Sequence, residues 1–210
     1  VNADSDTTKF EYNSDNKLAK TIGPRDDTTW FSYNFGDIIS TIDALYDTTR
    51  LHYTTNFHML DSMMDPAGHI TKFEYDTLGN LITVINALGK ETEYDYDARG
   101  NVVQATDPLG HTVHYSYDPD DGLAHNTTMY GSETYDSLYP TKIWATVNGR
   151  TIAMKFDYDY RRGLRVASGD PNNNVTYFDY DSLNQLTRVY YSDNAPNSGH
   201  TNTPSMRYYY

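Results

Sequence analysis

The chain has 210 residues and no cysteine, and its 29 acidic and 16 basic side chains give a net charge of −13. This length allows one large domain or two small ones, and the lack of cysteine excludes a disulfide framework. The acidic surface would repel a phosphate backbone, so nucleic acid is not an expected partner. No apolar run approaches the roughly 20 residues of a membrane-spanning helix.

The chain is unusually rich in tyrosine. It contains 21 tyrosines, and aromatic residues make up 14% of a sequence that is only 38% hydrophobic. Tyrosine favours strands, and it can bury its ring while its hydroxyl stays in contact with water. The composition therefore predicts extensive β-sheet over a thin core rather than a helical bundle.

A triplet of the form aromatic-x-Tyr, once Leu-x-Tyr, recurs along the chain. The second tyrosines of the triplets are Tyr12, Tyr33, Tyr53, Tyr75, Tyr96, Tyr117, Tyr158 and Tyr180. They follow one another at steps of 20 to 22 residues, apart from one step of 41, about two periods. The outer residues of each triplet share one face of a strand, because side chains alternate along a strand. Each triplet therefore predicts a strand.

A turn signal follows each of these tyrosines after three to five residues, usually with an Asp or Asn directly behind the tyrosine. The turn residue is always glycine or asparagine: Asn16, Gly36, Asn56, Gly79, Gly100, Gly122, Gly163 and Asn184. These two residue types best tolerate a positive φ. The pattern predicts a short hairpin loop with one left-handed residue in every repeat.

A second strand and a second turn complete each repeat. Segments such as Leu81 to Ile85 are followed by a turn of one form: Asp65-Pro66-Ala67-Gly68, Asn86-Ala87-Leu88-Gly89 and Asp107-Pro108-Leu109-Gly110. Asp or Asn suits the first position of a type I turn, and proline suits the second. The repeats therefore predict an all-β fold in which antiparallel hairpins follow one another as a continuous meander, without a helix.

The pattern loosens in two places. Residues 126–140 are predicted to be an insertion or long loop, and the polar stretch 192–204 a loop. Between them, Asn148-Gly149 is a strong signal for another hairpin. We predict one repeat region that covers residues 1–210, with no second domain.

Several segments resemble the YD repeats of the RHS family. They are "YDTLGNLITVINALGK", "YDARGNVVQATDPLGH" and "FDYDSLNQLTRV", and the resemblance extends from about residue 7 to 210. It implies a curved or spiralling strip of hairpins. Complete relatives form hollow shells that encapsulate a toxin or another C-terminal domain, and cell-surface relatives act in adhesion. This chain has too few repeats for a closed shell, and the self-cleaving closing segment of the family has no match in it, so only the strip is carried over.

Few side chains indicate catalysis or metal binding. The Tyr-Asp pairs recur in most repeats, whereas a catalytic pair is needed only once. His69 and His111 follow glycine at equivalent positions and are predicted to be turn residues. The other histidines, His52, His58, His114, His125 and His200, form no ligand motif. No P-loop, Gly-x-Ser-x-Gly or His-Glu-x-x-His motif occurs. We therefore predict a protein that is not an enzyme and has no cofactor.

Calcium and glycans are kept as alternatives. Asp118, Asp120 and Asp121 with Gly122, or Asp4 with Asp6, cluster oxygen ligands but lack the EF-hand spacing. Asn126 and Asn174 each fit the N-glycosylation pattern. Rows of exposed tyrosine could also stack on sugars, which would make the chain a carbohydrate-binding or adhesion module.

The leading expectation is a structural, extracellular or cell-surface scaffold. An open meander has two unpaired edges, and such edges pair readily with other strands. The expected partners are therefore adjoining RHS repeats or further copies of the chain. In the first case the chain is a shell segment, and in the second a head-to-tail fibre subunit. A fragment of a toxin-encapsulating RHS protein is the alternative.

Overall fold

The computed structural model describes residues 7–118, 123, 138–192 and 204–207. These residues form β-strands and the turns between them, and no helix occurs in these ranges. The chain divides into two compact units, Val1–Glu93 and Tyr94–Tyr210. Strand β9 (Glu91–Tyr96) contains the division between them. No helix in the described part of the chain is long and apolar enough to cross a membrane.

The first unit is an uninterrupted antiparallel meander. Its strands are β1 (Lys9–Tyr12), β2 (Leu18–Ile22), β3 (Thr28–Asn34), β4 (Asp37–Ile42), β5 (Thr48–Tyr53), β6 (Leu60–Met64), β7 (Ile70–Tyr75) and β8 (Leu81–Ile85). Each strand pairs with the next one in the chain, and β8 pairs with the first residues of β9.

The second unit continues the same order. Its strands are β10 (Val102–Thr106), β11 (Thr112–Ser116), β12 (Lys142–Val147), β13 (Arg150–Asp159), β14 (Leu164–Gly169), β15 (Val175–Tyr180), β16 (Leu186–Ser192) and β17 (Pro204–Arg207). From β10 onwards each strand again pairs antiparallel with its successor. The predicted all-β fold of consecutive antiparallel hairpins is therefore confirmed.

The hairpin loops contain left-handed residues at most of the predicted positions. Positive φ angles occur at Asn16 (58°), Gly36 (112°), Gly79 (90°), Gly100 (86°), Gly163 (68°) and Asn184 (66°). Asn148 (50°) and Gly149 (74°) form the predicted two-residue turn between β12 and β13. Gly122 lies outside the described residues.

The prediction for Asn56 is wrong. The left-handed residue of this loop is His58, with φ 51°. In the regular loop after Tyr75, the N–H of Asp76 donates to the carbonyl of Asn80, four residues later. In the loop after Tyr53, the N–H of Thr54 donates to the carbonyl of Met59, five residues later. The one-residue-longer loop moves the left-handed position from four to five residues behind the tyrosine.

The irregular segments are partly described. Ser192 lies in β16 and Pro204 in β17, so both end residues of the predicted loop belong to strands, and residues 193–203 lie outside the described residues. Residues 138–140 lead into β12, and the rest of the predicted insertion at 126–140 lies outside the described residues. The single repeat region over residues 1–210 stays a prediction.

A β-bulge occurs beside the tyrosine of most hairpins. In the β7–β8 hairpin, Glu74 is opposite Thr83 but Tyr75 is opposite Leu81, so the second strand has one extra residue. The same shift occurs in the hairpins β1–β2, β3–β4, β5–β6, β13–β14 and β15–β16. Bulges bend a strand, increase its twist and re-aim a side chain. The sequence analysis did not detect them.

Burial differs between the two units. Every described residue of the first unit is half-buried or exposed. The second unit has a small core of Phe156, Val166, Ala167 and Val175, with Thr141 fully buried beside it. The predicted thin core therefore lies in the second unit, around β13, β14 and β15.

Candidate functional site

The aspartate of the Tyr-Asp pair caps the turn that follows it. Asp76 Oδ1 accepts hydrogen bonds from the backbone N–H groups of Leu78 (2.8 Å) and Asn80 (2.9 Å). Its Oδ2 accepts a further bond from Asn80 Nδ2 (2.8 Å). The bonds from Asn80 hold the pKa of Asp76 below its usual value. Both oxygens of this carboxylate are therefore hydrogen-bonded within the loop, and its role is structural.

The second turn of the repeat uses the same cap, with histidine in two cases. Asp65 Oδ2 lies 2.9 Å from His69 Nδ1, and Asp107 Oδ2 lies 2.8 Å from His111 Nδ1. These side-chain hydrogen bonds are the main reason that the pKa values of Asp65 and Asp107 are lowered. Both histidines thus belong to turns rather than to a shared metal site.

The tyrosine hydroxyls connect consecutive hairpins. Four such bonds run from a tyrosine hydroxyl to a backbone carbonyl oxygen: from Tyr33 to Leu18 (2.9 Å), from Tyr75 to Leu60 (2.8 Å), from Tyr117 to Val102 (3.1 Å) and from Tyr180 to Arg165 (3.0 Å). In each case the hydroxyl donates to a backbone carbonyl 15 residues earlier, at the start of the second strand of the preceding hairpin. We call these bonds the tyrosine clamps. They recur because the repeat recurs, and they fix the distance between neighbouring hairpins.

The remaining repeat tyrosines occupy equivalent strand ends. Tyr12, Tyr53 and Tyr96 end β1, β5 and β9. Tyr158 donates instead to the carbonyl of Pro140 (3.2 Å), at the end of the irregular segment. Burial is the main cause that raises the pKa of Tyr158, and likewise the pKa values of Tyr117 and Tyr180. These tyrosines stay neutral at physiological pH, whereas a tyrosine that acts as a base needs a lowered pKa.

A surface groove of about 630 Å³ lies in the first unit, between the loops of hairpins β3–β4 and β5–β6. Its walls include Phe35, Asp37, Ile39, Leu51, Tyr53 and His58. His58 Nδ1 lies 2.6 Å from Asp37 Oδ2, so this pair bridges the two loops. The pKa of Tyr53 is raised, mainly by burial and further by the charge of Asp37. The volume is typical of a ligand site.

The other sequence-predicted sites are dispersed. Within the described ranges, no three His, Asp or Glu side chains form a group that fits a metal ion. Asp4, Asp6, Asp120 and Asp121 lie outside these ranges, as does Asn126. Asn174 is exposed in the turn before β15, and its Nδ2 donates to Asp170 Oδ2 (2.8 Å).

Repeated hairpins, capped loops and tyrosine clamps together define a β-repeat scaffold. The family model "RHS Repeat" matches residues 75–112 and 96–123, which include strands β8 to β11. The resemblance to the RHS/YD repeats that the sequence predicted is confirmed over these residues. No curated protein matches the chain.

Solved structures with the same fold come from Tc toxin components. The crystal structure titled TcdB2-TccC3-TEV covers 92% of this chain with a TM-score of 0.65 and 14% identity. TcdB2-TccC3 without its hypervariable C-terminal region covers 95%, with a TM-score of 0.62 and 13% identity. A Photorhabdus luminescens Tc holotoxin pore covers 85%, with a TM-score of 0.54 and 14% identity. The chain spans only 10%, 12% and 9% of the length of those chains.

Proposed function

We propose that the chain is a non-catalytic wall segment of an extracellular RHS shell, and that residues 1–210 form one repeat region. The tyrosine clamps are the observation that carries this proposal. In each clamp, the tyrosine that defines the repeat holds one hairpin against the next. A structural role in the wall therefore explains why this tyrosine recurs. The likeness in fold to Tc toxin components supports the same role.

Exposed leucines at the loops support a wall that contacts further RHS repeats. The third residue of several turns is a leucine that is about three-quarters exposed or more: Leu45, Leu78, Leu88, Leu109 and Leu183. Apolar side chains that recur with the repeat period would pack against another strip with the same period, since that strip offers matching gaps. Adjoining RHS repeats are therefore the proposed partners.

Electron microscopy of the native assembly tests this proposal directly. We expect a hollow particle whose wall contains this segment, and cross-linking mass spectrometry should join its loops to other RHS repeats. Isolated monomers together with a catalytic activity that maps to residues of this chain would refute the proposal.

A head-to-tail fibre of identical copies is the second candidate, because an exposed strand such as β1 can pair with a strand of another copy. The same micrographs distinguish it, because fibres would replace closed particles.

The gene around this segment decides whether the parent protein encapsulates a toxin. Intact mass and peptide mapping of the native protein test glycans at Asn174 and Asn126, and we propose that Asn174 is accessible because its turn is exposed.

A further inference from the structure

The hairpin that joins β12 to β13 is longer than the other connections between consecutive repeats. Within the described residues, six other connections of this kind pair three residues on each strand. Strands β12 and β13 pair six residues on each strand and are joined by the two-residue Asn148-Gly149 turn. Since a strand rises about 3.4 Å per residue, the three additional pairs lengthen this hairpin by about 10 Å.

The end of this hairpin projects beyond the neighbouring strands. Strand β11 pairs with β12 only as far as Ala145, and β14 pairs with β13 only from Lys155 onwards. In the part of the chain that the structure describes, residues 146–154 therefore have no strand on their outer sides. We call residues 146–154 the arm.

One face of the arm combines apolar side chains with one cation. Arg150 and Ile152 share this face because side chains alternate along a strand, and Val147 shares it because it lies opposite Arg150. Val147 and Ile152 are about half-exposed, and the Arg150 side chain has no ion pair or hydrogen bond among the described residues. Residues 142–156 contain no Asp or Glu, although the net charge of the chain is −13. This face therefore lacks both an apolar cover and a counter-ion.

The groove of the first unit, between the loops of hairpins β3–β4 and β5–β6, has the complementary surface. Its lining combines apolar residues, among them Phe35 and Ile39, with the carboxylate of Asp37. The Phe35 ring is 90% exposed. Asp37 Oδ2 bonds to His58, whereas Asp37 Oδ1 accepts no hydrogen bond from the described part of the chain. The groove therefore matches the arm in polarity and is opposite to it in charge.

We propose that the arm of one copy of this chain docks into the groove of a second copy. Val147 and Ile152 then pack on the ring of Phe35. The Arg150 guanidinium donates to Oδ1 of Asp37. The groove, with a volume of about 630 Å³, is large enough for these side chains.

The charge of the chain favours this contact between copies. Two chains with a net charge of −13 repel each other where their acidic surfaces meet, and the arm avoids this repulsion because it contains no acidic residue. Both halves of the contact occur in one sequence, so a second copy supplies the partner. The inference is separate from the wall proposal, and its failure would leave the micrographs of a shell unaffected.

Sedimentation velocity of the 210-residue chain tests the contact at concentrations from about 10 μM to about 1 mM, the range of weak protein contacts. We expect the weight-average mass to rise with concentration. A chain that stays monomeric over this range would overturn the proposal.

A charge exchange tests the pairing of Arg150 with Asp37. Arg150→Glu and Asp37→Arg each bring like charges together, so each variant alone should associate about tenfold more weakly than the wild type. An equimolar mixture of the two variants should recover association, because each arm then meets a groove of opposite charge. The mixture also retains one unaltered pair, so recovery does not depend on the altered groove of Asp37→Arg. A mixture that associates as weakly as the separate variants would refute the pairing.

Arg25→Glu is the matched control for net charge. Arg25 is exposed in a turn of the first unit, and its reversal changes the net charge as much as Arg150→Glu does. It should leave the affinity between copies within about twofold, which is the scale of small surface effects. Equal losses in Arg25→Glu and Arg150→Glu would attribute association to net charge and contradict the arm contact.

Ile152→Asp tests the apolar part of the contact. It should weaken association about tenfold, because a carboxylate then faces the apolar lining of the groove. Leu109→Asp is its control, since Leu109 is an exposed leucine of a regular turn outside the arm. Thermal unfolding verifies that both variants fold. Equal losses of association in these two variants would assign it to exposed apolar side chains in general and overturn the role of the arm.

Discussion

The two units contain the same hairpins but are stabilised in different ways. The first unit has no buried residue among those described, so its half-buried strands depend on capped loops and tyrosine clamps. The second unit has the same caps and clamps but also buries Phe156, Val166, Ala167 and Val175. A single layer of hairpins cannot enclose a core, because no second layer packs against either of its faces.

The core of the second unit forms where the repeat pattern breaks. Leu123 packs so closely on Gly169 that a Cβ there would lie 3.1 Å from its Cδ2. Tyr139 stacks on Tyr158 with ring centroids 5.0 Å apart. Thr141 is fully buried, and its hydroxyl bonds to the carbonyls of Ser116 (3.1 Å) and Asp118 (2.6 Å). The irregular segment therefore supplies covering residues that the regular repeats lack.

The largest expected effect is the loss of a core ring. Phe156 is 7% exposed, so Phe156→Ala should lower the free energy of unfolding by about 3–5 kcal/mol. Phe73→Ala in the first unit should cost only about half of that, because Phe73 is half-buried. Urea unfolding, with hydrogen exchange to assign each loss to its unit, measures both. Equal losses would contradict the distinction between the units.

The buried threonine should have the next largest effect. Thr141→Val keeps the shape of the side chain but removes the hydroxyl that donates to the Asp118 carbonyl, which should cost about 1–3 kcal/mol, whereas the Ser116 carbonyl still accepts the Thr141 N–H. Thr141→Ser retains the hydroxyl and serves as the control for its hydrogen bonds. If Val is tolerated as well as Ser, the hydroxyl does not hold this junction.

Removing a clamp should have a smaller, local effect. Tyr75→Phe keeps the ring and deletes the hydroxyl that donates to Leu60, so the free energy of unfolding should fall by about 0.5–1.5 kcal/mol. Amide exchange should accelerate in β5 to β8. Tyr12→Phe is a suitable control because Tyr12 is 64% exposed. Uniform exchange across the whole chain would argue against local clamps.

The smallest expected effect is the loss of stability of the capped loops at low pH. The lowered pKa of Asp76 means that its contribution to stability is present above the unfolded value of about 3.9 and is lost as the pH falls through the lower folded value. Unfolding curves between pH 5 and pH 2 should show this loss. Asp76→Asn keeps an acceptor oxygen but cannot be protonated, so its stability should depend less steeply on pH. An unchanged slope would contradict the role of the ionised cap.

The regular part of the fold was predictable because its determinants are local. Asp or Asn at the start of a turn and Gly or Asn at its left-handed position act over four or five residues, and the loops of Asp76 and Asn86 form as these residues indicate. The prediction failed at Asn56, where one additional residue in the loop made His58 the left-handed position. Nothing in the sequence indicated that Phe35 also adopts a positive φ, because the neighbouring Gly36 satisfied the turn pattern by itself.

The sequence by itself determined the order of the hairpins and the chemistry of their loops, because both depend on neighbouring residues and on a repeat of about 21 residues. Only the tertiary structure decided which carbonyl each tyrosine reaches, that Phe35 and His58 share a groove, and that Thr141 lies in the core. These contacts join residues 15 or more positions apart, and they depend on bulges and loop lengths that adjacent residues do not specify.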